Sequence, residues 1–438
     1  MIDDNGAPTP RSGGLGVLSW VQRLRFGKLA KSSISVMVLS GARLGAQLAW
    51  VLLLARILGA PNYGAFSGIA SLALAMSGFV GMGLSLRMYQ DTARDPALFP
   101  GRWRQAFHAS LLSGGGLAAV FFAVASALFS TASWQLLFAV ALSELTLAPI
   151  VALVANAYAA HGRMGYAAAA PVQLSCARIA AALALYAFPH AASINIYGWF
   201  HALATGLASV LILRSCLRRL NIRRSHEVLR WGDIKAGLGF SAVQASGLAL
   251  TTLDKSFALR WGGDVLAGRY VAAYRFVSVA VLPVDSLMIA VMPHLFRAGV
   301  KKDQASMPLL AVLAAATGVY GVVMGALVWC GADIVPKLLG ASFMGAQEAV
   351  RMLALYVPLY CLRTLGTNIL LCFGWKMWRF AYELIALIVM LVIAAWRIPA
   401  VGLAGAVSAL LLAEIVLGLL VWGHALYSLF GRSFKAAK

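Results

Sequence analysis

The stretch Arg56–Phe66, RILGAPNYGAF, returns 204 positions later as Arg260–Tyr270, RWGGDVLAGRY. Arg56, Gly59, Gly64 and Phe66 fall on Arg260, Gly263, Gly268 and Tyr270 with one spacing. In both places a long apolar run ends just before the stretch, and another begins within or just after it. An arginine there can lift its charged head to a membrane interface, the first glycine can close a helix in a left-handed turn, and the second permits a tight return. Each copy therefore reads as the tip of a helical hairpin, and the pair as a sign of two related halves. Interfacial loops recruit arginine, glycine and aromatics in any case, so coincidence is the competing reading.

A hydrophobic fraction of 61%, a charged fraction of 12% and a mean hydropathy of +0.82 exclude a soluble globular chain. Apolar runs of about 20 residues recur, enough as helices to cross a hydrocarbon core roughly 30 Å thick. The short alternating segments of an outer-membrane barrel are not visible. The predicted class is an all-α polytopic membrane protein. Spans are expected at about 33–55, 65–86, 106–128, 134–158, 167–188 and 196–213, then 236–259, 270–293, 308–330, 349–372, 380–396 and 402–426. That makes about twelve transmembrane helices in two six-helix halves, 33–213 and 236–426, joined by a basic connection at 214–235. A basic N-terminal segment, 1–32, precedes them and a short tail, 427–438, follows. Residues 1–14 are polar and read as disordered, while Leu15–Lys31 reads either as an amphipathic helix on an anionic leaflet or as a basic flank of the first span. A cleaved signal peptide is not expected, because the apolar run that follows is long and carries Arg43.

The formal charge of +21 first suggests a nucleic-acid partner, but its placement gives another meaning. Of 36 Lys and Arg, 25 lie on the N-terminus, every second loop, the central connection and the tail, and six on the alternate loops and their edges. By the positive-inside rule both termini are then cytoplasmic. The charge is a topology signal, and no nucleic-acid partner is expected. Ten of the 12 tryptophans, among them Trp103, Trp261 and Trp422, sit near predicted span ends, where an amphipathic ring prefers the headgroup level. No outside loop is long enough for a separate domain.

Five cations remain inside the spans: Arg43, Arg178, Lys255, Arg275 and Arg363. A charge at the centre of a lipid-facing helix costs roughly 2.5–3.5 kcal/mol on the insertion scale, so each should face a partner or water. Helical spacing puts Ser40, Arg43, Gln47 and Trp50 on one stripe, and Ser241, Gln244, Thr251 and Lys255 on another. Arg275, Ser278, Leu282 and Asp285 share a third, beside an expected kink at Pro283. These stripes suit the walls of a wet central cavity, whose substrate-binding candidates are Arg43, Gln47, Arg178, Gln244, Lys255, Arg275 and Arg363. An anionic ligand is expected, because the arginine fork fits phosphate or pyrophosphate oxygens. The competing reading is that these cations pair with the intramembrane acids Glu144, Asp254, Asp285 and Glu414. Asp285 should find its partner across helices and not in Arg275.

Enzyme signatures are missing: there is no paired His and Glu motif for zinc, no phosphate-binding loop with its lysine, and no Gly-x-Ser-x-Gly elbow. GFVGMG at Gly78–Gly83 lacks the strand and spacing of a dinucleotide fingerprint. Cys176, Cys216, Cys330, Cys361 and Cys372 read as free thiols without metal-ligand spacing, and the seven histidines as interfacial or packing residues. No metal site is predicted. The pairs Gly41/Gly45 and Gly321/Gly325 read as sites of close helix packing.

ARILGAPNYGAFS after the first span, with LDKSFALRWGGDVLAGRYVAAYRF at the seventh and eighth, resembles the Wzx-type polysaccharide and O-antigen flippases. These belong to the multidrug/oligosaccharidyl-lipid/polysaccharide (MOP) exporter superfamily. The resemblance implies two six-helix bundles around a central cavity that opens alternately inward and outward. It implies no cofactor and no covalent chemistry. The implied cargo is an undecaprenyl-pyrophosphate-linked oligosaccharide, moved to the periplasmic leaflet of the bacterial inner membrane for O-antigen, capsule or exopolysaccharide assembly. A cationic lumen would come from Arg43, Arg178, Lys255, Arg275 and Arg363. A proton or sodium gradient would act through Glu144, Asp254, Asp285 or Glu414. Asp254 with Lys255 matches the family's Asp-Lys at the seventh span. Membrane lipids are implied partners, and a polysaccharide polymerase or glycosyltransferase is a candidate partner for the basic face.

Three rivals stand beside this reading. A drug or metabolite exporter of the same superfamily would want acids dominating the cavity, against five bases and four acids here. A membrane polysaccharide polymerase or ligase would need an outside loop that positions donor and acceptor, and the outside loops are short. A scaffold without transport would leave the polar stripes without a purpose.

Overall fold

The computed structural model describes residues 28–187, 193–222, 227–301 and 307–436, nearly all of them helical. Residues 1–27, which hold the polar start and most of the amphipathic segment, lie outside the described residues. The first half consists of α1 (Lys28–Ser77), α2 (Leu84–Arg94), α3 (Phe99–Leu128), α4 (Trp134–Ala141), α5 (Ala148–Ala160), α6 (Met164–Ala187) and α7 (Ile194–Leu220). The second consists of α8 (Trp231–Lys301), α9 (Met307–Cys330), α10 (Ile334–Leu339), α11 (Ala346–Leu353), α12 (Tyr356–Cys372), α13 (Lys376–Val401) and α14 (Leu403–Ala436).

Among the described residues nine helices are long and apolar enough to cross a membrane, and α11 with α12, bent by 43°, makes a tenth span. Two of these ten are double. Gly59 (φ 68°, ψ 171°) and Gly263 (φ 77°, ψ 177°) are the only non-helical residues inside α1 and α8. That region of backbone space is open to glycine almost alone. In a straight helix Asp254 and Tyr270 would stand about 24 Å apart at 1.5 Å per residue, yet the Tyr270 hydroxyl donates to Asp254 Oδ2 at 2.7 Å. Trp50 and Phe66, 204 positions earlier, both meet Tyr197: Trp50 Nε1 donates to its hydroxyl at 2.9 Å and Phe66 packs edge-on against its ring. Both helices fold back at the repeated glycine, and with each limb counted the spans number twelve.

The second glycine of the repeat does something other than permit a tight return. Gly64 and Gly268 lie inside helix, where the two halves cross. A Cβ on Gly64 would fall 2.0 Å from Asp264 O, and one on Gly268 would fall 2.0 Å from Ala60 O. Ala60 and Asp264 are themselves 204 apart, so the contact is reciprocal about a pseudo-twofold axis. From there the second limb of α1 runs antiparallel to the first limb of α8. A Cβ on Gly68 would lie 2.7 Å from Leu259, one on Gly78 2.5 Å from Ala245, and one on Gly83 2.1 Å from Gly237 O. At the far end Asp233 of α8 accepts from Arg87 Nη1 (2.9 Å), Arg102 Nη1 (3.3 Å) and Gln105 Nε2 (3.2 Å) of the first half.

The symmetry-related seam, first limb of α1 against second limb of α8, carries Ala272, Leu282 and Leu287 where the closed seam has Gly68, Gly78 and Gly83. Cavities lie along this seam. A Cβ on Gly41 or Gly45 would meet nothing, so the close packing expected there does not occur. Gly321 and Gly325 do pack closely, against Pro358 and Ala354.

Three further expectations change. The second span does not run to residue 86: α1 stops at Ser77 and a 3-10 turn, Val80–Gly83, intervenes, with Gly81, Met82 and Gly83 all at positive φ. The gain is the backbone contact of Gly83 with Gly237 and a bond from Gly81 N–H to Ser113 Oγ at 2.8 Å. The fourth span widens into a π turn at Leu142–Leu147, upstream of Pro149, which has no N–H to offer Leu145 O. The expected kink at Pro283 leaves the backbone of α8 helical, whereas Pro358, whose ring crowds the carbonyl of Ala354, marks the 43° bend before α12.

Substituting Gly64 by Val sets a branched side chain against backbone that cannot rotate away, and overpacking of this kind costs roughly 1–3 kcal/mol or more. Gly64→Val should lower the thermal midpoint of the purified protein in detergent by several degrees, and Gly41→Val should leave it within a degree. Equal midpoints would show that the crossing is not close-packed.

Candidate functional site

A chamber of about 310 Å³ opens in the looser seam, with a polar wall of Gln47 and Ser71 of α1, Thr251, Lys255, Arg275, Ser278 and Asp285 of α8 and Tyr360 of α12, and aliphatic side chains such as Leu74 and Leu282 over the rest; it is called the polar chamber for that wall. Behind it an apolar cleft of about 290 Å³ lies between Leu48–Ala55 of α1 and Ala272–Val279 of α8. Arg275 lines both. A larger chamber of about 690 Å³, lined by Gln244 and Arg363 among others, adjoins the polar one through Leu248, Thr251 and Tyr360.

Three of the five intramembrane cations are committed to carboxylates. Lys255 Nζ sits 2.8 and 3.0 Å from the two oxygens of Asp254, bonds Thr251 O at 2.8 Å, and lies 3.5 Å above the Tyr274 ring. Tyr270 fills another acceptor site of the same Asp254. Arg363 forks onto Glu414 through Nε (2.7 Å) and Nη2 (3.3 Å), with its guanidinium 4.5 Å from the centre of the Tyr360 ring. Arg178 Nη2 bonds Glu144 Oε1 at 2.6 Å within the first half. His201 completes that last cluster, with Nε2 2.9 Å from the same oxygen and its ring stacked on Trp50.

The remaining cations differ. Arg275 is half-buried, reaches the Tyr63 hydroxyl, and forms no ion pair among the described residues. Its Nε is buried without a hydrogen-bond partner. Arg43 is exposed, one turn from Gln47, and lines neither chamber. Asp285 finds its partner across helices, as the sequence suggests: the Tyr360 hydroxyl donates to Oδ1 at 2.9 Å. It is the one acid of the four without a cationic partner among the described residues.

The structure thus brings Gln47, Lys255, Arg275 and Asp285 to one chamber and Gln244 and Arg363 to its neighbour. It sets Arg178 and Glu144 apart in the first half, and buries Asp254 and Glu414 as counter-ions. Sequence reading passes over Tyr274 and Tyr360, and takes Tyr270 only as a repeat position and His201 only as an interfacial or packing residue. The i, i+4 spacing of Tyr197 and His201, and of Tyr270 and Tyr274 beside Lys255, is the signal that could have marked them.

Breaking a buried pair leaves a charge without compensation at a cost of about 3–5 kcal/mol. Glu414→Gln, which strands Arg363, should therefore cut the yield of monodisperse protein and its thermal midpoint sharply. Arg275→Gln, which breaks no ion pair, should leave both close to wild type. Comparable losses in the two variants would place Arg275 in the scaffold.

The family described as polysaccharide biosynthesis protein matches residues 29–299. No curated protein matches the chain. Among solved structures, a multidrug resistance MATE family transporter of the MOP superfamily in its inward-facing conformation is similar over 90% of this chain and 99% of its own, with TM-score 0.70 and 15% identity. An outward-facing conformation of such a transporter gives TM-score 0.61 at 15% identity, over 92% of this chain and 96% of its own. A MOP superfamily transporter from Pyrococcus furiosus, described as having a binding pocket of reverse polarity, gives 0.58 at 15%, over 91% and 95%. The chain belongs to the polysaccharide biosynthesis protein family and is a multi-pass membrane protein with the fold of the MOP superfamily transporters.

Proposed function

We propose that the protein is a flippase for a polyprenyl-pyrophosphate-linked oligosaccharide, working by alternating access between its halves. The observation that carries this reading is the position of Arg275, without an ion pair among the described residues and shared by a polar chamber and an apolar cleft. A lipid-linked sugar is itself divided in that way. Its pyrophosphate suits the guanidinium fork, its glycan needs a wet chamber, and its tail must stay among apolar groups at about 0.8 kcal/mol per CH₂. The seam between α1 and α8 offers the tail a lateral path while the headgroup crosses.

The basic end faces the cytoplasm of the bacterial inner membrane in this reading, with both termini on that side. The crossing at Gly64 and Gly268 then closes the periplasmic end, which agrees with the higher similarity to an inward-facing relative. Asp285 is the carboxylate placed to exchange a proton or sodium ion, because it alone of the four is held by a hydroxyl and not by a cation. Export of cationic drugs, which the shared fold would also permit, is less well served, since Glu144, Asp254 and Glu414 are already neutralised.

Purified protein in proteoliposomes should move a fluorescent polyprenyl-pyrophosphate oligosaccharide between leaflets. Loss of a charge-assisted contact of roughly 1.5–3 kcal/mol predicts a drop of at least tenfold in Arg275→Ala, and Arg43→Ala should add little. Folded wild-type protein that leaves this lipid in place but extrudes an organic cation would overturn the assignment in favour of a drug exporter.

A further inference from the structure

The larger chamber extends the flippase reading and rests on it. Its walls are α2 of the first half, the first limb of α8, α12 and the first turns of α13. Two of its cations are occupied: Arg363 by Glu414, and Arg379 by Glu383 at 2.8 Å. Five other polar groups are not. The side-chain amides of Gln90 and Gln244 make no hydrogen bond among the described residues. Asn368 uses its Nδ2 on Thr364 O at 3.0 Å and leaves Oδ1 open. Thr364 is buried, and its hydroxyl lies beside that of Tyr360 without a hydrogen bond of good geometry. Lys376 Nζ stands 6.0 Å from the centre of the Phe240 ring and forms no ion pair among the described residues.

A buried hydroxyl without a partner, such as that of Thr364, is costly unless something meets it, while Gln90, Gln244 and Lys376 are exposed side chains that line the chamber with groups free to bond a ligand. Amides and hydroxyls offer both donors and acceptors at neutral charge, the combination a run of sugar hydroxyls can satisfy. A volume of about 690 Å³ falls within the range of roughly 300–1,000 Å³ usual for small-ligand sites. The connection to the pyrophosphate chamber passes Thr251 and Tyr360, which line both. Tyr360 is pinned there, its hydroxyl on Asp285 and its ring against Arg363.

We infer that this chamber holds the glycan of the lipid-linked substrate, and that Lys376 at its mouth receives an acidic sugar. The pyrophosphate rests at Arg275, the sugars extend past Tyr360 among Gln90, Gln244, Thr364 and Asn368, and selectivity for the repeat unit resides in the second half of the protein.

The test measures binding of three lipids to the full-length protein in nanodiscs: polyprenyl pyrophosphate without sugar, the same lipid with a neutral disaccharide, and the same lipid with a uronic-acid disaccharide. Wild type should bind the glycosylated lipids about tenfold tighter than the bare one, the effect of one or two added hydrogen bonds. The double variant Gln244→Ala, Asn368→Ala should lose that increment and keep the affinity for bare lipid. Lys376→Gln should lose only the preference for the uronic-acid lipid over the neutral one. Equal affinity of wild type for all three lipids overturns the inference, as does a double variant that loses bare lipid to the same degree. Should bare lipid not bind at all, the flippase reading fails separately. Free uronic-acid disaccharide, followed by quenching of tryptophan fluorescence, then decides the chamber: quenching lost in Lys376→Gln supports it, and quenching absent from wild type or unchanged in the variant overturns it.

Discussion

Everything in this molecule hangs on two helices that cross with no side chain between them. Gly64 and Gly268 bring backbone against backbone, each against the residue 204 positions from the other's neighbour. With so little space, the two halves can meet there in one arrangement only, and that arrangement fixes the pseudo-twofold axis. Gly59 and Gly263 sit a turn or so before the crossing and supply the folded-back geometry that delivers four limbs to it. Any larger residue at the crossing would push the halves apart where they need to seal.

How far this was legible in the sequence follows from what a repeat and a hydropathy pattern can and cannot report. Twelve spans, two halves and the bends at Gly59 and Gly263 follow from apolar length and from an Arg-Gly-Gly-aromatic spacing kept twice. The work of Gly64 and Gly268 was not legible, because a glycine needed for a partner's close approach looks in sequence like a glycine needed for its own turn. The breaks at Ser77–Gly83 and before Pro358 fell inside runs that remain apolar throughout, so hydropathy passed over them. Gly41 and Gly45 carried a packing signature with no neighbour to pack, since the seam that would use them is the looser one.

The intramembrane charges show the same division. Of the polar stripes on α1 and α8, Gln47, Lys255, Arg275 and Asp285 share one chamber, while Arg43 is exposed and lines neither. Which cations pair was hidden, because partners such as Arg363 and Glu414, or Arg178 and Glu144, are 51 and 34 residues apart and meet only through tertiary packing. A cation locked to a carboxylate in low dielectric is held by the fold, and releasing it for a ligand would strand the acid. Among the described residues Arg275 has no such acid to strand, and so a ligand's charge can approach it without breaking an ion pair there.

The two seams that relate the halves are equivalent by symmetry and unequal in fact, and the inequality has a chemical cause. Glycines at 68, 78 and 83 let the first seam close over its length, whereas two cavities lie along the second. A carrier for a soluble solute gains nothing from one permanently looser seam, because leakage of the solute into lipid serves no end. A carrier whose cargo is half lipid has to leave one wall open to the bilayer, and the other wall has to hold the halves in register while it does. For the proposed flippase, a closed seam of glycines opposite a looser seam, with Arg275, which forms no ion pair among the described residues, set between chamber and apolar cleft, would meet both demands with a single pair of helices.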